Sequence, residues 1–138
     1  MITCTRRIAW DAAHRVLRHE SRCAHLHGHR YTAEITCEAD QLDHVDRVVD
    51  FGSIKEKVGA WVAKHWDHAT LVNRSDVTLR DWLEGFDQPH YAFAGEPTAE
   101  NIARELFRVA DKILSDHRLR VVRVRVWETP NCWAEVTA

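Results

Sequence analysis

The sequence predicts an α+β fold built on an antiparallel sheet, and three observations predict it. Stretches of strand character come in neighbouring pairs near the two ends of the chain. Two amphipathic helical stretches lie between those pairs. The order is therefore ββααββ, without the strand–helix alternation of a doubly wound parallel sheet. At 138 residues the chain is long enough for one domain, expected to span 1–138, with a core that needs no staples.

Each element has a local reason. Residues 2–11 have β character with imperfect alternation. In residues 31–38 the alternation is clean: Tyr31, Ala33, Ile35 and Cys37 point one way, and Thr32, Glu34, Thr36 and Glu38 the other. The two segments and the loop between them predict an antiparallel pair. Phe51, Ile54, Val58, Trp61, Val62 and His65 then share one helical face, with Asp50 or Ser53 as N-cap. Residues 67–73 read as a loop, 77–85 as a short helix and 86–96 as irregular, rich in Gly, Pro and aromatics. A helix follows Pro97. Thr98 suits its N-cap, Glu100 suits the positive end of its dipole, and Ile102, Leu106, Val109, Ile113 and Leu114 form its buried stripe. Val122, Val124 and Val126 alternate with Arg123, Arg125 and Trp127. A turn at Thr129-Pro130-Asn131 leads to a last strand over 131–136. The expected product is a four-stranded antiparallel sheet with helices on one face. Its open edges favour association with further copies of the chain.

Composition excludes several function classes. Hydrophobic residues make up 45% and charged residues 29%, which is incompatible with a mainly disordered chain. With 19 Lys+Arg against 21 Asp+Glu, there is no basic footprint for nucleic acid or an anionic membrane. No apolar run approaches a membrane span, and the first residues lack the apolar stretch of a signal peptide, so a cytoplasmic location is expected.

Histidine is the anomaly. Of 10 His, five (His14, His19, His25, His27 and His29) fall in one short stretch. If His27 and His29 open the second strand, their i, i+2 spacing puts both imidazoles on one face. Gly28 between them permits close approach. His14 ends the first strand, beside the start of the second, so three imidazoles can converge. Three neutral nitrogens suit Zn²⁺, and three protein ligands leave a fourth position open, as catalytic sites do. Surface histidines without a metal are the plain alternative. The four Cys contain no Cys-x-x-Cys and, in a reducing compartment, three of them read as small buried hydrophobes. Cys23 lies inside the His cluster. It is either a fourth ligand, which would close the site, or a base beside an open one. The spacing does not choose between these.

Six motifs occur in order: Trp10-Asp-Ala-Ala-His14-Arg, Cys23-x-x-x-His27-Gly-His29, Val49-Asp50-Phe51, Asp67-His68 with Leu71-x-Asn73, Pro97-Thr98-x-Glu100-Asn101, and Glu128-Thr129. Together they resemble the 6-pyruvoyl-tetrahydropterin synthase family over nearly the whole chain. The resemblance is greatest to its bacterial carboxytetrahydropterin branch of queuosine biosynthesis, whose short Cys-to-His spacing this chain shares. The resemblance implies the tunnelling fold, with trimers whose sheets close into a barrel, pairs of trimers stacked as homohexamers, and active sites between subunits. It implies 7,8-dihydroneopterin triphosphate as substrate, and 6-carboxy-tetrahydropterin, triphosphate and acetaldehyde as products. It implies zinc on His14, His27 and His29, Cys23 as catalytic base, and Asp67 and His68 as a proton relay. Glu128 matches the carboxylate that anchors the pterin and is counted in the relay. Thr98 and Glu100 are further candidate pterin contacts. Two features depart from the family: Trp10 stands where Phe is usual, and residues 77–96 look longer than the bacterial pattern.

The chemistry asks for these residue types. A thiolate near a dication is a plausible base at neutral pH, and His68 exchanges protons in the same range. Adjacent side chains seldom face each other in regular structure. Asp67-His68 therefore predicts a loop or helix end there, or another partner for Asp67. Three readings remain open: the lyase, a zinc hydrolase that would not need Cys23, and a non-catalytic Cys-His₃ zinc module.

Overall fold

A computed structural model describes residues 1–138. Six strands and three α-helices follow in the order β1 (Ile2–His14), β2 (His27–Ala39), α1 (Phe51–His65), β3 (Ala69–Asn73), α2 (Val77–Gly85), β4 (His90–Phe93), α3 (Ala99–Leu114), β5 (Leu119–Thr129) and β6 (Cys132–Thr137). All strands join one sheet in the order β4-β3-β1-β2-β5-β6.

The α+β class and the antiparallel β1–β2 pair agree with the sequence. The strand count does not: the sheet has six strands, where four were expected. The segments expected to be loop and irregular supply β3 and β4, and both pair in parallel, β3 with β1 and β4 with β3. All five residues of β3 are buried. A short parallel strand covered on both faces has no alternation to betray it. The short helix over 77–85 forms as expected and is capped by Asp76, whose carboxylate accepts from the Leu79 N–H.

Register decides what the two faces of the sheet carry. Opposite residues in an antiparallel pair share a face. Trp10 pairs with Tyr31, Ile8 with Ala33, Ala12 with His29 and His14 with His27, and all of these lie on the helix-covered side. The core there includes Trp10, Tyr31, Ala33 and Ile35 of the sheet, Ile54, Val58 and Val62 of α1, and Ile102 and Leu106 of α3. Each large apolar side chain so buried contributes about 1.5–3 kcal/mol. Asp50, not Ser53, caps α1 through the Gly52 N–H, and Phe51 stays exposed at the helix start. Thr98 caps α3, accepting from the Asn101 N–H at 3.3 Å.

The other face of the sheet is polar. Arg7 donates to Glu34 across β1–β2 at 2.7 Å, Arg125 lies opposite Glu34 on β5, and Arg125 donates to Glu135 of β6 at 2.8 Å. A row of alternating charge thus crosses four strands. Among the helices, none is long and apolar enough to cross a membrane.

Candidate metal centre and active-site cleft

The β1–β2 register places the imidazoles of His14 and His27 opposite each other, and pleating returns His29 to the same side two residues on. One ligand nitrogen from each of the three rings lies within 4.8 Å of the others. Gly28 eases the close approach of the neighbouring strand, because a Cβ there would meet the Ala12 carbonyl oxygen at a tight 3.3 Å.

Backbone carbonyls orient two of the rings. His14 Nδ1–H donates to the Pro97 carbonyl at 2.7 Å, and His27 Nδ1–H donates to the His25 carbonyl at 2.6 Å. Each bond fixes the tautomer and leaves the Nε2 lone pair free, the usual preparation of a metal-binding imidazole. The two Nε2 atoms are 3.1 Å apart. With both Nδ1 atoms protonated, the neutral rings face each other lone pair to lone pair, which repels unless a cation or proton lies between. His29 Nε2 is buried beside them and has no hydrogen-bond partner. Burial pushes the pKa of His14 and of His29 down, which favours the neutral, ligating form. The donor set of three neutral nitrogens fits Zn²⁺.

Beneath the rings is an aromatic stack. Tyr31 meets the edges of His14 and His29 at centroid distances of 5.9 and 5.6 Å, and Trp10 stacks on Tyr31 at 5.4 Å. Trp10 is buried and also packs on Trp66, so the extra bulk of Trp at this position is taken up within the core. Tyr31 is absent from the sequence-based site. Burial, reinforced by the charge of Glu128, raises its pKa, so its phenol stays protonated.

A cleft of about 340 Å³ opens beside the rings and is lined by His14, Cys23, Thr98, Glu100, Glu128 and Cys132, among others. Five of the residues singled out from the sequence therefore converge. Cys23 sits in a short 3₁₀ turn, Arg22–Ala24, and is not one of the clustered metal-ligand groups. A Cys-His₃ ligand set is accordingly not the arrangement seen. Of the spare histidines, His19 accepts the Ser21 N–H, and His25 supplies the carbonyl that orients His27.

Asp67 and His68 lie elsewhere. His68 lines a second cleft, of about 490 Å³, together with Asp11, Gly28, His29 and Arg30. The two neighbours do face each other, Asp67 Oδ1 to His68 Nδ1 at 2.9 Å, because His68 takes a left-handed backbone (φ 58°) at the entry to β3. Asp67 Oδ1 also accepts the Asp11 N–H at 3.1 Å. That bond first, then His68 and Arg30, holds the Asp67 carboxyl below its usual range.

A sequence model described as 6-pyruvoyl tetrahydropterin synthase matches residues 3–138. The chain belongs to that family. It is 41% identical to the 6-carboxy-5,6,7,8-tetrahydropterin synthase of Rickettsia bellii over 138 residues, covering 99% of this chain and 100% of that one. To the protein of the same name from Haemophilus influenzae it is 26% identical, over 98% of both chains. Among solved structures, the Caenorhabditis elegans 6-pyruvoyl tetrahydropterin synthase superposes with a TM-score of 0.71 at 20% identity, covering 99% of this chain and 95% of that one. An uncharacterized Wolinella succinogenes protein superposes with a TM-score of 0.85 at 18% identity, covering 99% and 97%. These structures share the tunnelling fold with this chain, a member of a family of tetrahydropterin synthases.

Proposed function

We propose that this protein is a zinc-dependent carbon–carbon lyase. With one water it converts 7,8-dihydroneopterin triphosphate to 6-carboxy-5,6,7,8-tetrahydropterin, triphosphate and acetaldehyde, a step of queuosine biosynthesis in the cytoplasm. The observation that carries the reading is the pair of facing Nε2 atoms of His14 and His27, with His29 Nε2 buried and unpartnered beside them. Whole-chain identity to the Rickettsia bellii carboxytetrahydropterin enzyme supports the carboxy product. So does the three-residue gap between Cys23 and His27.

His14, His27 and His29 would hold the zinc, which when bound would supply Lewis acidity toward the substrate's side-chain diol. Cys23, on the wall of the same cleft, takes up the proton released from that side chain. Glu128 accepts the pterin's 2-amino and ring N–H groups together, as a carboxylate accepts from a guanidinium. Thr98 and Glu100, at the first turn of α3, complete the pterin's surroundings. His68, held by Asp67, relays protons.

Within one chain Cys23 and His68 line different clefts. The relay therefore works between subunits, the His68 of one chain meeting the Cys23 of another in a homotrimer or hexamer. The polar sheet face, crossed by the Arg7–Glu34 and Arg125–Glu135 pairs, would line the barrel's interior. Four free thiols suit a reducing compartment.

The test is mass spectrometry of the products formed from 7,8-dihydroneopterin triphosphate by the zinc-loaded protein. Acetaldehyde, triphosphate and the carboxypterin are expected. Accumulation of the pyruvoyl product would move the protein to the sister activity, and absence of turnover would overturn the lyase reading.

A further inference from the structure

We infer that the polar face of the sheet seats the substrate's triphosphate, with Arg7 and Arg30 as the cations that hold it. The identity of the ligand rests on the lyase reading above, and the seat rests on geometry. The β2–β5 ladder runs from Thr32 opposite Trp127 to Ala39 opposite Leu119. Before Thr32, β2 carries His27, Gly28 and His29 without a β5 partner, and past Trp127, β5 carries Glu128. A third cleft, of about 620 Å³, lies where the two strands part. Gly28, His29 and Glu128 line it, so it borders both a metal-binding ring and the carboxylate that takes the pterin edge. Arg7, Arg30 and Thr32 line it too, and the β1–β2 register puts these three on the polar side of the sheet.

The walls suit a ligand that only accepts hydrogen bonds. Apart from Glu128, every polar side chain on them can donate, and the indole N–H of Trp127 is buried without an acceptor. Both guanidiniums keep donors in reserve. Arg7 uses Nε and Nη2 on one oxygen of Glu34, and Arg30 gives only Nη1 to Asp11, at 3.0 Å. Arg7 Nη1 and Arg30 Nε and Nη2 have no partner in the chain. Carboxylates are also too few on this face. Glu34 lies between Arg7 and Arg125, and Glu135 between Arg123 and Arg125, so three guanidiniums share two carboxylates. Arginines nearer the metal are committed elsewhere, Arg15 to Asp76 through two nitrogens and Arg18 to Glu96.

A triphosphate matches this surface. It presents acceptor oxygens and several negative charges, and a planar guanidinium meets two such oxygens at once. In the substrate it sits at the far end of the side chain whose diol faces the metal. From His29 the way to Arg30 passes Gly28, where no side chain stands in the cleft. The side chains of Arg7 and Arg30 are largely exposed and free to swing onto the ligand. The three parts of the substrate then meet three kinds of group: a carboxylate at the ring edge, imidazoles at the diol and guanidiniums at the phosphates.

Calorimetric titration of inorganic triphosphate into the zinc-loaded full-length protein tests this, beside steady-state kinetics with 7,8-dihydroneopterin triphosphate. Arg7→Gln and Arg30→Gln are each expected to weaken triphosphate binding and to raise KM by about 10-fold. Arg30→Lys keeps the charge without the planar fork and is expected to fall between Arg30→Gln and the wild type. Zinc content and the affinity for 7,8-dihydroneopterin, which lacks the phosphates, are expected to stay unchanged and report that the variants fold. Lys112→Gln removes an exposed charge in the last turn of α3 and is expected to match the wild type. Triphosphate affinity unchanged in both arginine variants overturns the seat, and so does an equal loss in Lys112→Gln, which would make net charge the cause. A lower kcat in Arg30→Gln at unchanged KM and triphosphate affinity also overturns it, because Arg30 would then act through Asp67. If the wild type binds triphosphate, the arginine variants do not, and no protein turns substrate over, the anion seat stands and the lyase reading fails.

Discussion

His14 sits at the join between β1 and the turn before α3, and its Nδ1–H bond to the Pro97 carbonyl sets where its Nε2 points. The sequence made the three histidines legible, because strand spacing alone puts His27 and His29 on one face and His14 beside them. It could not reveal Pro97, which reaches the site only through tertiary packing, whereas Tyr31 follows His27 and His29 at the same i, i+2 spacing and was open to the same reading. Nor could it place Glu128 against the rings, since an acidic residue at a strand end normally stays in solvent. Cys23 was legible as a candidate but not in its role, and its position outside the ligand cluster now favours the base. Cys23→Ala is expected to keep its zinc and lose turnover by at least ~100-fold, measured as acetaldehyde release. Retention of full activity would favour a zinc-activated water instead. Next to His14, Arg15 grips Asp76 through two bonds of 2.5 and 2.6 Å, and the Arg15 guanidinium chiefly depresses the Asp76 pKa. Asp76→Asn is expected to cost about 2 kcal/mol at pH 7, less than a fully buried pair because Arg15 is 25% exposed. The folded-state pKa lies below the unfolded one. The contribution is therefore present above the unfolded pKa of about 4 and is lost as pH falls through the folded value. Denaturant melts of both proteins across that range check it, and the two curves should converge in acid.

Helix α3 shows how local signals read well when propensity and packing agree. Thr98, Glu100 and the buried stripe from Ile102 to Leu114 all pointed to a helix, and the helix forms with Thr98 as its cap. Thr98→Ala is expected to destabilise by about 1 kcal/mol in a thermal or urea melt. Because that first turn also lines the cleft, the same variant is expected to raise KM. Strand β3 shows the opposite case. Ala-Thr-Leu-Val-Asn is buried throughout and pairs in parallel with β1, so neither alternation nor a hairpin turn marks it. Its entry bears out the loop expected at Asp67-His68: the left-handed backbone at His68 lets the two neighbours meet, which regular structure would forbid. At Gly28 the constraint is between strands. Gly28→Ala would press a methyl on the Ala12 carbonyl at 3.3 Å, the strand that carries His14. Weaker zinc retention at unchanged helix content is the expected outcome, read by chelator competition and circular dichroism.

At the scale of the whole molecule, one chain holds a metal-ready cluster and a cleft but keeps the Asp67–His68 pair in a second cleft. β4 and β6 leave the sheet with two open edges, and the face away from the helices is a lattice of ion pairs. The fold class was legible because pairing, amphipathicity and capping concur. An assembly is expected only through the family resemblance, since no pattern within a chain says which copy would supply His68. Mixing refolded Cys23→Ala and His68→Ala chains is expected to restore part of the turnover that each lacks alone. Mixtures as inactive as their components would place the whole relay within one subunit. The central claim, that His14, His27 and His29 hold the ion on which everything else depends, is tested most directly by the zinc content of the purified protein. The wild type and His19→Ala are expected to hold about one zinc per chain, and His14→Ala and His29→Ala less than about a tenth of that. Full zinc in the His14 and His29 variants, or a wild type that binds none, would contradict it.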